Sequence, residues 1–438
     1  MQSRLENQSA APESPLLRGP RLRRIGMIVA ALSVVGIASL AILAQKPIRF
    51  IAGGGLHLPA PDGPFAVGRT TWDVVDMDRP ELFTVDEADH REIRVDVYYP
   101  AVATDAEPGP YLDSVIASGV TGVPAIATDI ISPNWVANAK PDPSGAPYPV
   151  LVFSPGIDGP PVFYTSLLEH LTSRGYVILA LWHPYTTSRT LFADGRIVES
   201  SFEGYGAMWE GEEATRDKAK QEVSRVWAED AVTAIDEATK RASEDGPLKG
   251  LFDFARLGAF GHSFGGQNAA AAMTLDSRIR AGLNMDGTSV FQPILDQGVT
   301  GGFALVSDKS EPPPPEYLAE RGITLSEYWA NWDERNCPAA VRENASTFYS
   351  FQVDGLEHMG FSVDLALFQP LYPFVITQDM VGSVSGMTLL ALLTDLVGGF
   401  FDEQLSGKVV PLLRDPSSKY PMLHSGINTH PPWEASSK

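Results

Sequence analysis

Leu257-Gly-Ala-Phe-Gly-His-Ser-Phe-Gly-Gly266 is the stretch on which the fold turns. Leu257 to Phe260 is a short apolar run that suits a buried strand. Gly261-His262-Ser263-Phe264-Gly265 fits G-x-S-x-G, the pattern of a sharp strand-to-helix turn that carries a nucleophilic serine. Gln267 to Met273 is Ala-rich and strongly helix-forming. Such a turn forces its serine into an unfavourable backbone conformation, so its neighbours must be small. Gly261, Gly265 and Gly266 meet that need. The serine hydroxyl is then lifted above the sheet edge, at the positive end of the following helix.

The chain has 438 residues, enough for one large α/β domain with decorations or for two ordinary domains. Its formal charge of −21 excludes nucleic acid as a partner, because a phosphate backbone demands a basic surface. The same charge speaks against broad adhesion to anionic lipid. Cys337 is the single cysteine, so no intrachain disulfide forms and a zinc–thiolate centre is ruled out; it reads as a structural or incidental thiol. No metal and no cofactor is called for.

Residues 1–24 are polar and read as a disordered cytoplasmic tail. Arg18, Arg21, Arg23 and Arg24 precede an uncharged run from Ile25 to Ala44. A run of that length spans about 30 Å as a helix, the thickness of a bilayer's hydrocarbon core. The flanking arginines stay in the cytoplasm and send the remainder across. The run is expected to be a transmembrane signal anchor, with a cleaved signal peptide as the alternative, because it exceeds the usual apolar core of a signal peptide. Either way the body of the protein is expected outside the cytoplasm: membrane-anchored, or secreted if the segment is cut.

Residues 45–65 read as a linker, 66–405 as the catalytic domain and 406–438 as a C-terminal tail. Thr70 to Val75 and Ile93 to Tyr99 are early strands. Residues 101–148 are punctuated by prolines and are expected to form a surface insertion. Pro149 to Phe153 is a buried strand that runs into the turn Ser154-Pro-Gly-Ile-Asp-Gly159. A helix over Val162 to Arg174, ended by Gly175, leads to a strand over Val177 to Trp182. That strand–helix–strand order implies parallel pairing. Glu210 to Ser243 is a charged helix with Val223, Val226, Trp227, Ala231 and Ile235 at helical spacing. Further strands are expected at Ala281 to Met285, Phe303 to Ser307 and Thr347 to Val353. The sum is an α/β-hydrolase fold: a mostly parallel central sheet with helices on both faces.

Active residues in such sheets sit beyond the carboxyl ends of the strands. A serine hydroxyl needs a base, and the base needs an orienting acid, in chain order Ser, Asp or Glu, His. Downstream of Ser263 the histidines are His358, His424 and His430. The last two fall in the tail, whereas His358 follows a predicted strand, so His358 is the candidate base. Asp286 and Asp308 each end a predicted strand, and spacing does not choose between them. Negative charge building on the carbonyl oxygen needs two N–H donors. One is expected from the backbone of Phe264, the other from the loop holding Gly156 and Ile157. His262 is expected to point away from the site. His183 either lines the site or packs beneath it, and His170 reads as surface.

These pieces resemble the platelet-activating-factor acetylhydrolase family of the secreted or plasma type. The resemblance rests on Val152-Phe-Ser-Pro-Gly-Ile157, Gly261-His-Ser-Phe-Gly-Gly266, Asn284-Met-Asp286, the Gly355-Leu-Glu-His358 loop and the Ile93 to Pro100 strand, and it spans about residues 66 to 375. It implies Ser263 as nucleophile, Asp286 rather than Asp308 as acid, His358 as base, and the backbones of Ile157 and Phe264 as oxyanion donors. It also implies calcium-independent cleavage of short or oxidised acyl chains from phospholipids, or of simple esters. One departure is Pro155, where the family often has a histidine. Two rivals stand beside this reading: a cutinase-like, polyester-cleaving or general lipase-esterase activity with Asp308 as acid, and a non-catalytic binding domain on a hydrolase scaffold. The expected partner is a small-molecule or lipid ester. Oligomeric state is not legible.

Overall fold

The computed structural model describes residues 56–113, 116, 131–308, 313–336 and 338–426. The Ile25 to Ala44 run, Cys337 and His430 lie outside the described residues. Among the described residues no helix is long and apolar enough to cross a membrane.

The ten strands of the central sheet are β1 (Ala66–Pro80), β2 (His90–Ala101), β3 (Val136–Ala137), β4 (Tyr148–Ser154), β5 (Val177–Trp182), β6 (Phe252–His262), β7 (Ile279–Met285), β8 (Gly302–Asp308), β9 (Thr347–Val353) and β10 (Leu423–Ser425). Their order across the sheet is β10-β9-β8-β7-β6-β4-β5-β2-β1-β3. From β5 through β4 and β6 to β9 every pairing is parallel. β2 runs antiparallel to both β5 and β1, and β10 runs antiparallel to β9. The register aligns the strand ends: Gly261 of β6 sits between Ser154 of β4 and Asn284 of β7, and Met285 faces Val306 of β8. Whatever follows these residues therefore emerges on one rim.

The middle strands are apolar almost without break because both faces are covered. On β4, Val150 and Val152 face one core while Leu151 and Phe153 face the other; β5 splits likewise into Val177, Leu179 and Leu181 against Ile178, Ala180 and Trp182. The Leu151 face packs on α1 (Thr165–Ser173) and on the long C-terminal helix α4 (Gly386–Ser406), through residues such as Leu167, Leu171, Leu393 and Phe400. The Val150 face packs on α2 (Glu213–Ser243) and α3 (Phe264–Leu275). Both of these present alanines to it, Ala231, Ala234 and Ala238 on α2 and Ala269 to Ala272 on α3. Small side chains let two helices lie close to the sheet and to each other. Apart from the buried Asp230, the charges of α2 lie off its apolar stripe, as its periodicity implies.

Three expectations need correction. The insertion 101–148 is not confined to the surface: Tyr111, Leu112, Ile116, Ile131 and Trp135 are buried in the core on the α1 face. Glu169 of α1 fastens it there, accepting from the backbone N–H groups of Asn134 (2.6 Å) and Trp135 (2.8 Å). His170 is not a surface residue, because every residue of α1 is buried. The stretch after 405 is not simply a tail, since β10 adds a strand to the sheet and His424 within it meets Asp354 at 3.0 Å. At the other end, Leu56–His57 of the expected linker pairs with Ile131–Ser132.

Candidate active site

β6 ends at His262, and Ser263 then takes φ 56° and ψ −124° before α3 begins at Phe264. A positive φ is costly for any residue with a Cβ, and it persists only where the surroundings enforce it. The enforcement comes from close backbone packing. A Cβ on Gly265 would lie 2.1 Å from the carbonyl oxygen of Ser154, so only glycine fits at that crossing. The Ser263 N–H is fixed to the carbonyl of Met285 at 2.8 Å.

His358 opens a short 3-10 turn, His358–Phe361, five residues beyond the end of β9. The loop carrying it is tied down on both sides, by Asp354 N–H to Met422 O (2.9 Å) and Ser383 N–H to Gly355 O (2.7 Å). Its imidazole Nε2 lies 3.0 Å from Ser263 Oγ, and its Nδ1 lies 2.5 Å from Asp286 Oδ2. A carboxylate can only accept, so Nδ1–H donates to Asp286. That leaves Nε2 of the neutral ring free to accept the Ser263 proton. Ser263, His358 and Asp286 are thus brought together from positions up to 95 residues apart.

Asp308 is close by but is not the residue that meets the ring. Its backbone N–H donates to Asp286 Oδ1 at 3.3 Å. Burial, then repulsion from Asp286, pushes its own carboxyl up to about 7. For His358, burial works against the charged ring. The hydrogen bond and charge of Asp286, with a further pull from Asp308, outweigh it and hold the imidazole above its ordinary value.

Phe264 is the first residue of α3, and the N–H groups of a helix's first turn have no partner within the helix. The loop after β4 passes directly over the nucleophile: a Cβ on Gly156 would sit 3.5 Å from Ser263 Cβ. The next residue, Ile157, packs, as Phe264 does, against the buried cluster of Phe83, Met208, Val223, Val226 and Trp227. Both expected donor backbones therefore flank Ser263.

The remaining histidines sort clearly. His262 does not point away from the site, for its ring centroid is 4.7 Å from that of His358, and it is buried. Burial, then the neighbouring His358, holds it well below the ordinary histidine value, so it is neutral. His183 is fully buried beneath the site. It stacks on Trp227 at 3.8 Å, bonds Asp230 through Nδ1 (2.8 Å) and reaches Ser154 Oγ through Nε2 (3.2 Å). Ser154 in turn accepts from Asn268 of α3 at 3.1 Å. Arg91 closes the chain with a paired contact to Asp230 (3.0 and 2.6 Å). Sequence reading missed this buried network beneath the oxyanion-side loop. The available signal was Asp230, a charged residue set within the apolar stripe of α2, three positions after Trp227. Among the described residues no group of side chains could hold a metal ion.

A family model for platelet-activating factor acetylhydrolase, isoform II, matches residues 51–199. A probable 1-alkyl-2-acetylglycerophosphocholine esterase of Arthroderma benhamiae is 25% identical over 432 residues, covering 90% of this chain and 98% of that relative. The platelet-activating factor acetylhydrolase of Gallus gallus is 26% identical over 288 residues, 55% of this chain and 65% of that relative. Over residues 51–199 the chain is thus similar to the platelet-activating factor acetylhydrolase isoform II family, and along most of its length to a relative named as an esterase of that substrate class. Among solved structures, a ferulic acid esterase from Streptomyces cinnamoneus superposes with a TM-score of 0.66 at 25% identity, covering 85% of this chain and 99% of that one. The chain is accordingly an ester hydrolase of the α/β-hydrolase class. The family match reaches the loop after β4 but stops short of Ser263, Asp286 and His358, so these stand on their geometry.

Proposed function

We propose that the protein hydrolyses carboxylic esters through an acyl-enzyme on Ser263, with His358 as general base and acid and Asp286 as its orienting carboxylate. The observation that carries this is the continuous path from Ser263 Oγ to His358 Nε2 (3.0 Å) and from His358 Nδ1 to Asp286 Oδ2 (2.5 Å). His358 takes the hydroxyl proton as Oγ bonds to the ester carbonyl carbon. The oxyanion is received by the N–H groups of Phe264 and Ile157. As the C–O bond to the alcohol breaks, His358 returns the proton to the leaving oxygen. Water then gives a proton to His358 and attacks the acyl carbon; as the bond from that carbon to Oγ breaks, His358 returns the proton to Ser263 and the acid is released. No metal takes part.

The preferred substrates in this reading are short or oxidised acyl chains on phospholipid-like or small esters, supported by the relatives of Arthroderma and Gallus. The ferulic acid esterase neighbour favours a second reading, small aromatic-acid esters. Two measurements test the proposal. Fluorophosphonate labelling should be strong and should vanish in Ser263→Ala; retained labelling would remove Ser263 as nucleophile. Hydrolysis rates across acetyl phospholipid, long-chain lipid, feruloyl ester and polyester should peak on the first, and a peak elsewhere would reassign the substrate. We also place the catalytic domain outside the cytoplasm, on the strength of the Arg-flanked apolar run at 25–44. Protease accessibility in intact cells tests that placement.

A further inference from the structure

The phenolic oxygen of Tyr164 joins three separate parts of the site. It accepts from the Gly156 N–H at 3.2 Å and from the Ser362 hydroxyl at 3.0 Å, and it meets His262 Nδ1 at 2.7 Å. A phenol has one hydrogen and two acceptor positions. With both acceptor positions filled, its hydrogen goes to His262 Nδ1, which leaves the proton of the neutral His262 ring on Nε2. All three partnerships are buried. Each partner belongs to a different piece of machinery. Gly156 precedes Ile157 in the oxyanion-side loop, His262 precedes the nucleophile, and Ser362 lies four residues after the base. His262 also stacks on Phe361, at 5.6 Å and 25°, and faces the His358 ring. The Tyr164 ring itself is locked edge-on against Phe153 of β4 at 4.8 Å.

We propose that the Tyr164 hydroxyl is a positioning group that holds the oxyanion-side loop, the nucleophile turn and the base loop at one fixed spacing, so that proton transfer and oxyanion binding are set up together. The inference rests on the acyl-enzyme reading at Ser263. Tyr164 touches none of the reacting atoms. Its effect is on alignment, and alignment errors of about 1 Å cost up to about 100-fold in rate. Removing the hydroxyl strands the Gly156 N–H and frees the loop that ends in Ile157. It also removes the group that fixes the His262 ring against His358. The benzene ring of phenylalanine keeps the packing on Phe153, so the fold is retained while the three-way link is lost.

The test measures steady-state hydrolysis of p-nitrophenyl acetate and the rate of fluorophosphonate labelling in wild type, Tyr164→Phe, Ser362→Ala and the double variant, with Ser263→Ala as control. Tyr164→Phe should lose about 10- to 100-fold in kcat with KM held within about threefold, and labelling should slow in parallel. Ser362→Ala should lose less, and the double variant should be no worse than Tyr164→Phe, because Ser362 acts through the phenol. A kcat within about twofold of wild type, a loss confined to KM, or losses that multiply in the double variant would each overturn the proposal. Should Tyr164→Phe fail to fold, Ser362→Ala decides alone: a lower kcat at constant KM supports the link, and an unchanged kcat overturns it. Labelling that survives in Ser263→Ala would instead sink the acyl-enzyme reading, whatever Tyr164 does.

Discussion

Replacing each of the two rim carboxylates by its amide separates their roles. Asp286 Oδ2 accepts from His358 Nδ1 at 2.5 Å, whereas Asp308 reaches the site through its backbone N–H, 3.3 Å from Asp286 Oδ1. In Asp286→Asn the amide can present its NH2 to Nδ1, which drives the proton to Nε2 and removes the acceptor for the Ser263 hydroxyl. A loss of the wrong-tautomer type is about 10⁴-fold in kcat, about 5.5 kcal/mol of transition-state stabilisation. Asp308→Asn keeps its backbone N–H, so Asp286 stays oriented and kcat should remain within about tenfold. Its effect should appear in the pH profile. The base must be neutral to work, so activity falls as pH drops through the His358 pKa. Part of what raises that pKa is the charge of Asp308, itself half-ionised near its pKa of about 7. Deleting the charge lowers the His358 pKa, and the acid limb of kcat/KM moves to lower pH. The assay is kcat/KM for p-nitrophenyl acetate from pH 5 to pH 9, at about half-unit steps, with both variants. Loss of about 10³-fold or more in Asp308→Asn, with Asp286→Asn within about tenfold of wild type, would refute the assignment. An acid limb moving upward in Asp308→Asn would refute the electrostatic argument alone.

Three further outcomes are expected. Glu169 is buried, bonded to Asn134 and Trp135, and burial raises its carboxyl to about 7, above its ordinary value near 4.5. A folded-state pKa above the unfolded one gives stability that is full below the unfolded value and is lost as pH rises through the folded one, here across about pH 4.5 to 7 and amounting to about 3 kcal/mol. Urea midpoints should therefore fall over that window in wild type and fall less in Glu169→Gln; equal slopes would contradict the burial argument. Asp230→Asn removes the buried anion shared by Arg91, Arg79 and His183, leaving Arg91 only Glu81, and should cost about 3–5 kcal/mol by urea unfolding; a loss below about 1 kcal/mol would mean that the network is plastic. Gly265→Ala must displace the Ser154 backbone, so it should destabilise by about 1–3 kcal/mol or more and abolish labelling, whereas Gly246→Ala, where a Cβ meets nothing within 4 Å, should be silent in both measurements.

What the sequence disclosed follows the range over which each signal acts. The turn at Ser263, the apolar strands and the striped α2 are local patterns, and they stand where the residues implied. The choice between Asp286 and Asp308 was not local. Both end adjacent parallel strands, and only the reversal of the chain after Met285 aims one of them at a ring 72 residues away. His170 reads as surface because a helix that mixes Thr and Ser with leucines looks amphipathic, whereas α1 is enclosed on every side. Some of its polar groups find partners there: Glu169 takes Asn134 and Trp135, and the Ser166 N–H takes Asp364 at 3.2 Å. β10 has three residues, too few for any periodicity, and its existence depends wholly on the exposed edge of β9. The aromatic residues of the insertion, Tyr111 and Trp135, were the sign that it is anchored in the core.

Among the described residues five non-glycine residues carry a positive φ, and two of them are the nucleophile and the acid of the site. Ser263 and Asp286 both carry a positive φ, 56° and 57°, without being glycine. Each lies one step beyond the end of a strand, and the two strands are neighbours. A single side chain serves both turns. Asn284 donates to Gly287 O at 2.8 Å and accepts from Gly287 N–H at 2.7 Å, closing the Asp286 turn like a staple. Its Oδ1 also occupies the space beside Gly266, where a Cβ would come within 2.0 Å of it. The third residue of the nucleophile helix, Gly266, thereby leaves the room in which Asn284 clamps the acid's turn. The pairing of Gly266 with Asn284 thus couples the position of the hydroxyl to that of the carboxylate before the imidazole arrives between them. This explains in physical terms why Gly-His-Ser-Phe-Gly-Gly and Asn-Met-Asp belong together in one chain: each supplies the room or the bond that the other's strained residue requires.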